Sequence, residues 1–202
     1  MSSIIINNSN SQQIPNLQCL EIFTKSMIPN NVLDAITVMP KFTELNLVDC
    51  SFDSNKMHEI LNIFEKRSDN NVILAARTIK TISPSSSLLR KLHLNYIESR
   101  MNDVVVLTAS KIKSLAHLSI HYEEFNDTVI KTFVQNVSKL PLLEDLGVGP
   151  IVMTMDDLKT LATIATLRIF WIYSLGKGYT DMDIAELRRS SFDDHVVEVD
   201  VR

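Results

Sequence analysis

The chain has little glycine: four residues in 202, the first of them at position 147. With six prolines beside them, loop-forming residues are too few for a disordered linker or a collagen-like repeat, and 45% apolar residues supply ample material for a core. Two cysteines, Cys19 and Cys50, exclude a disulfide framework in a chain this long and have no C-x-x-C partner, so repeat packing is the expected role for both. Charge of one sign is also lacking. Twenty Lys and Arg against 24 Asp and Glu leave a net charge of −4, too mild for a nucleic-acid footprint. The longest apolar-looking stretch, Leu161 to Leu175, is interrupted by Thr163, Thr166, Arg168 and Ser174, so it falls short of the roughly 20 apolar residues of a membrane span. The opening MSSIIINNSNSQQ has neither a basic n-region nor a long apolar h-region. The expectation is a soluble cytoplasmic or nuclear chain that binds neither nucleic acid nor membrane. The N-x-S/T triplets at Asn7, Asn126 and Asn136 are then chance matches.

What the chain does contain is a repeat. KFTELNLVDC, from Lys41 to Cys50, places Phe42, Leu45, Leu47 and Cys50 at positions 1, 4, 6 and 9 of an L-x-x-L-x-L-x-x-N/C frame. Leu17, Leu20 and Ile22 carry the same frame, as do Leu89, Leu92 and Leu94, then Leu115, Leu118 and Ile120, then Leu143, Leu146 and Val148, then Leu167, Phe170 and Ile172. A degenerate copy counted from Asp69 uses Val72 and Leu74, and a last one counted from Asp194 uses Val197 and Val199. Starts at 17, 42, 69, 89, 115, 143, 167 and 194 differ by 25, 27, 20, 26, 28, 24 and 27. The short gap of 20 precedes Leu89, where TISPSSS reads as a turn in place of a helix. Met1 to Ser9 reads either as a worn repeat core or as a frayed tail, so residues 1–13 stand apart from a repeat domain over 14–202 with seven or eight copies.

Helical periodicity fills the intervals. Val129, Ile130, Phe133, Val134 and Val137 follow i, i+3, i+4, i+7, i+8 within a helix expected over Asn126 to Leu140, which Pro141 stops. Met57, Ile60, Leu61 and Phe64 do the same over Asn55 to Arg67, and further helices are expected over Asn102 to Ile112 and Asp156 to Ala165. Thr154 with Asp157 and Thr180 with Asp183 have capping-box spacing. One such unit cannot bury its own apolar face, so copies must stack. The expected fold class is α/β: a leucine-rich-repeat solenoid with a curved parallel sheet on the concave side and helices on the convex side.

KFTELNLVDC, LLRKLHLNY, SLAHLSIHY and PLLEDLGVG, spaced by about 26 where the intervals are regular, resemble the repeats of F-box and leucine-rich-repeat proteins, within the ribonuclease-inhibitor-like superfamily. The resemblance covers Leu17 to Val201, and Cys50 alone supplies the terminal cysteine of the cysteine-containing subtype. It implies a substrate-receptor half that holds a target protein. No F-box is visible in the sequence. Skp and cullin ligase subunits become partners only if such a segment lies upstream or is too divergent to see.

Side chains alternate across a strand, so residues between the buried leucines face the concave surface. The outward set reads Glu21 and Phe23; Glu44, Val48 and Asp49; Lys91, His93, Asn95 and Tyr96; His117, Ser119, His121 and Tyr122; Asp145 and Gly147; Ile169, Trp171 and Tyr173; Glu198 and Asp200. Three of the four tyrosines and the single tryptophan gather there, residue types enriched at protein-binding hot spots. The partner-binding candidates are Tyr96, His93, His121, Tyr122, Trp171, Tyr173, Asp49 and Glu44. Two readings compete at Trp171 and Tyr173, because a one-residue frame error would turn both rings into the core. The histidines, with His195 near the last strand, read as a solvated polar row or as a pH-sensitive or metal-binding one. His117 and His121 on one strand would stand roughly 13 Å apart, too far to share a zinc ion.

Catalytic signatures fail in turn. Gly176-Lys177-Gly178 lacks P-loop spacing, and HEILN from His58 has Asn62 where a zinc protease needs its second histidine. No G-x-S-x-G is present. Asp181 and Asp183 open like a calcium loop, but Glu186 stands where its glycine belongs. A non-enzymatic module with no cofactor and no metal is expected: substrate-recognition repeats of a ubiquitin ligase, or a scaffold, inhibitor or regulator without a ligase connection; an enzyme with a site in the loops after the strands is the third and least favoured reading.

Overall fold

The computed structural model describes residues 17–77, 88–95, 103–121, 126–149, 153–172, 180, 182–183, 185–186 and 198–201. Seven strands alternate with five helices among them: β1 (Cys19–Phe23), α1 (Asn30–Val38), β2 (Glu44–Val48), α2 (Ser54–Arg77), β3 (Lys91–Asn95), α3 (Asp103–Ala109), β4 (His117–His121), α4 (Asp127–Val137), β5 (Asp145–Gly149), α5 (Met155–Ala162), β6 (Ile169–Ile172) and β7 (Glu198–Val201). The strands form one parallel sheet in sequence order, β1 to β7. Each strand therefore lies beside the next in the chain. Successive helices touch in the same order, α1 on α2 through to α4 on α5.

The frame of leucines places these elements. Phe42, Leu89, Leu115, Leu143 and Leu167 are buried before β2 to β6. On the strands, Leu20, Leu45, Leu92, Leu118, Leu146 and Phe170 stand in register and are buried. Leu47, Leu94, Ile120, Val148 and Ile172 make a second buried row. Helix stripes close the layer: Met57, Ile60, Leu61 and Phe64 from α2, and Ile130, Phe133 and Val137 from α4. Burying one such side chain stabilises the fold by about 1.5–3 kcal/mol, and the gain is repeated at every copy.

Backbone bonds repeat with the side chains. The carbonyl one residue before a strand accepts two N–H groups from the next copy: Gln18 from Thr43 and Glu44, Thr43 from Arg90 and Lys91, Arg90 from Ala116 and His117, Ala116 from Glu144 and Asp145, Glu144 from Arg168 and Ile169. Five equivalent forks show that the strands of these copies begin in the same way.

Several expectations are revised. The degenerate copy at Val72 and Leu74 is not a strand, because α2 runs without interruption from Ser54 to Arg77. No glycine or proline lies between Asp53 and Ser83 to stop a helix once it has started. The strand before α2 and the strand after it, β2 and β3, begin 47 residues apart, at Glu44 and Lys91, so the short gap of 20 belongs to one enlarged unit. The TISPSSS segment and residues 1–13 lie outside the described residues. The last copy is shifted by two: Val199 and Val201, not Val197 and Val199, pair with Phe170 and Ile172. A two-residue shift preserves which residues alternate, so Glu198 and Asp200 keep register positions opposite Ile169 and Trp171.

Helix boundaries follow their caps. Asn126 accepts the Val129 N–H at 3.0 Å and starts α4 at Asp127, while Thr154 and Asp157 form the expected reciprocal box at the start of α5. Thr180 and Asp183 bond in the same reciprocal way, and the Thr180 N–H holds the Asp183 carboxyl below its usual range. Asp53 caps α2 by accepting from Asn55 and Lys56. α3, α4 and α5 each end about three residues before the expected C-terminus, as tight turns take over. His58 has a structural place in the helix layer. Thr108 Oγ1 gives its proton to the Val104 carbonyl, so it must accept from His58 Nδ1 at 2.9 Å, and His58 Nε2 accepts from Asn62 at 3.0 Å. This chain ties α2 to α3. Among the described residues no helix is long and apolar enough to cross a membrane.

Candidate functional site

One face of the sheet meets the helices. The side chains of the other face, here called open, are mostly half-buried or exposed. The alternation within β2 and β3, half-buried against fully buried, separates the two faces residue by residue. Across the strands the second face carries a first row of Cys19, Glu44, Lys91, His117, Asp145 and Ile169, and a middle row of Glu21, Asn46, His93, Ser119, Gly147 and Trp171.

In the first row acidic and basic side chains pair across neighbouring strands. Lys91 Nζ lies 3.2 Å from Glu44 Oε1, and His117 Nδ1 lies 3.4 Å from Asp145 Oδ2. Both pairs are part-exposed, so each is worth at most about 1 kcal/mol and orients side chains more than it stabilises the fold. In the middle row the Ser119 hydroxyl, 4% exposed, donates to Asn95 Oδ1 at 3.0 Å. Burial pushes the His93 imidazole below its ordinary value, ahead of the opposing pull of Asp145. His93 is therefore held neutral near pH 7.

The expected site residues divide into three groups. Glu44 and His93 lie together on adjacent strands, with His121 at the end of β4 opposite Gly149. Trp171 is on the open face, half-buried, since its neighbours Phe170 and Ile172 are the buried ones. Asp49 is exposed but stands past the end of β2, at φ 53° in the left-handed region, its N–H donating to the Asn95 carbonyl at 3.2 Å. It belongs to the rim of the sheet. Tyr96, Tyr122 and Tyr173 lie outside the described residues, as does His195.

Two residues escaped the sequence reading. Asn46, between Leu45 and Leu47, occupies the middle row between Glu21 and His93, and strict alternation would have found it. Cys19 was expected in the packing, yet it is half-buried on the open face opposite Glu44. Its position is the same as that of Glu44 and Lys91 in the following strands. Burial, then the Glu44 and Glu21 carboxylates, raise its thiol. Cys50 is buried as expected, and burial pushes its thiol up to about 11. Neither thiol is primed as a nucleophile.

A hollow of about 180 Å³ opens at the β1–β3 end of this face, lined by Cys19, Glu21, Glu44, Asn46, Lys91 and His93. Among the described residues no three His, Cys, Asp or Glu side chains converge closely enough to hold a metal ion. The face offers donors, acceptors and both charge signs on a rigid sheet with an aromatic ring toward one end, chemistry suited to holding another polar surface. No protein-family model matches the chain, and no curated protein matches it.

Proposed function

We propose that the chain is a leucine-rich-repeat solenoid acting as a protein-interaction module, with the open, concave face of the sheet gripping a target protein. The observation that supports this most is the asymmetry of the sheet. Strands β2 to β6 each give one set of side chains to the buried core shared with the helices, and the other set, with that of β1, presents mostly polar residues and Trp171. A parallel sheet with both faces covered would carry apolar residues on both. A preformed surface on rigid strands also loses little entropy on binding.

In its specific form the proposal is a substrate receptor of an F-box-like ubiquitin ligase, supported by the resemblance of the repeats. The general form, a scaffold, inhibitor or regulator, needs no ligase. Affinity purification from cells separates them. The comparison is between the native chain, a folded Trp171→Ala/His93→Ala variant and a helix-face variant, Lys131→Glu/Gln135→Ala. Partners lost only with the open-face variant, together with Skp and cullin subunits, support the receptor; the same loss without ligase subunits supports the scaffold. Partners lost only with the helix-face variant overturn the assignment of the binding face.

A further inference from the structure

We propose that the hollow between β1, β2 and β3 is a socket for one arginine side chain of the bound protein, received by Glu21 and Asn46. The inference rests on the protein-interaction reading and adds the chemistry of the partner. Size comes first. At about 180 Å³ the hollow is smaller than the roughly 300–1,000 Å³ of pockets that enclose drug-sized ligands, so it suits one side chain of a larger partner.

Polarity then narrows the choice. Glu44 already pairs with Lys91, whereas Glu21 is exposed and among the described residues has no cation within ion-pair distance. Glu21 accepts only a long bond, 3.5 Å, from Asn46 Nδ2. That bond sets the amide's orientation, because a flipped Asn46 would turn its oxygen against the Glu21 carboxylate. The amide oxygen, Asn46 Oδ1, is left buried and without a hydrogen-bond partner among the described residues. Among the described residues, therefore, neither of these two neighbouring acceptors has a strong protein donor.

A guanidinium supplies five N–H groups in one plane and a charge that is always present. As it takes over Glu21, the Asn46 amide is released to rotate, and Oδ1 accepts from the same group. An ammonium would satisfy Glu21 as a point charge without the planar fork. A phosphate or carboxylate ligand would meet Glu21 and Glu44 as like charges. On the β3 wall the cation is Lys91, already paired with Glu44, and His93, whose pKa burial lowers, adds little positive charge beside it.

The test uses the full chain labelled with ¹⁵N and three acetylated, amidated tripeptides, Gly-Arg-Gly, Gly-Lys-Gly and Gly-citrulline-Gly. Gly-Arg-Gly is expected to shift the Asn46 side-chain amide and the Glu21 and His93 backbone signals saturably, and the citrulline peptide, a neutral isostere, to shift none of them. Glu21→Gln should weaken the arginine peptide about tenfold while the spectrum stays folded. Asn46→Asp, which keeps the shape and adds charge, should bind at least as well. Equal shifts from the citrulline peptide, or undiminished binding by Glu21→Gln, overturn the socket. Because these readings need no partner protein, a failed socket leaves the loss of partners from open-face variants intact. An occupied socket on a chain whose open-face variants keep all partners would overturn the interaction reading instead.

Discussion

The two faces of strands β1 to β6 obey different rules. Against the helices, the strand positions are leucine, isoleucine, valine or phenylalanine, and those of β2 to β6 are at most 3% exposed. On the open face the register-equivalent residues run through cysteine, glutamate, lysine, histidine, aspartate and isoleucine within a single row. Packing dictates the first set because any polar group there would be buried without a partner. Nothing about stacking dictates the second set, which leaves those positions open to select what they touch.

The contrast can be broken most severely from the helix side. Leu45→Asp or Leu118→Asp buries an unpaired charge and should cost several kcal/mol, enough to abolish cooperative folding in a domain stable by about 5–15 kcal/mol. Circular dichroism melting should show it, and an unchanged transition in either variant would overturn the register. Removing a cap is a smaller insult. Asn126→Ala strips the acceptor from the α4 N-terminus and should cost about 1 kcal/mol in a urea titration.

On the open face, pH sharpens the contrast. His93 has a folded value below its unfolded one, so folding favours the neutral ring. The associated stability is present above about pH 6.5, the unfolded value, and is lost as pH falls through the lower folded value. His93→Gln should flatten the pH dependence of urea midpoints in that window, and an unaltered slope would show that His93 is not the group responsible. The smallest expected effect is that of Glu21→Gln, an exposed carboxylate whose loss should change stability by no more than about 0.5 kcal/mol. A large loss would place Glu21 among the residues that hold the fold together.

These rules also account for what could be read in the sequence. The strands from Leu20 to Ile172 were visible because a leucine that must be buried recurs at nearly constant spacing, and α4 and α5 because Asn126 and Thr154 mark their starts. The enlarged unit was hidden because Val72 and Leu74 copy the strand spacing while lying on a helix that nothing terminates. The β7 frame slipped by two because Val197, Val199 and Val201 satisfy the alternation in either register. Asn46 and Cys19 were missed for the opposite reason. No packing rule distinguishes an open-face asparagine or cysteine from any other residue there, and only the register brings them beside Glu21 and Glu44.

The most direct test of the division of labour is site-specific photo-crosslinking in cells, with a photoreactive amino acid placed singly at Glu21, His93 or Trp171 on the open face and at Lys131 or Gln135 on the exposed side of α4. The account predicts that the open-face positions yield adducts with a shared protein and the α4 positions do not. Adducts from the α4 positions alone would contradict it and move the working surface to the helices.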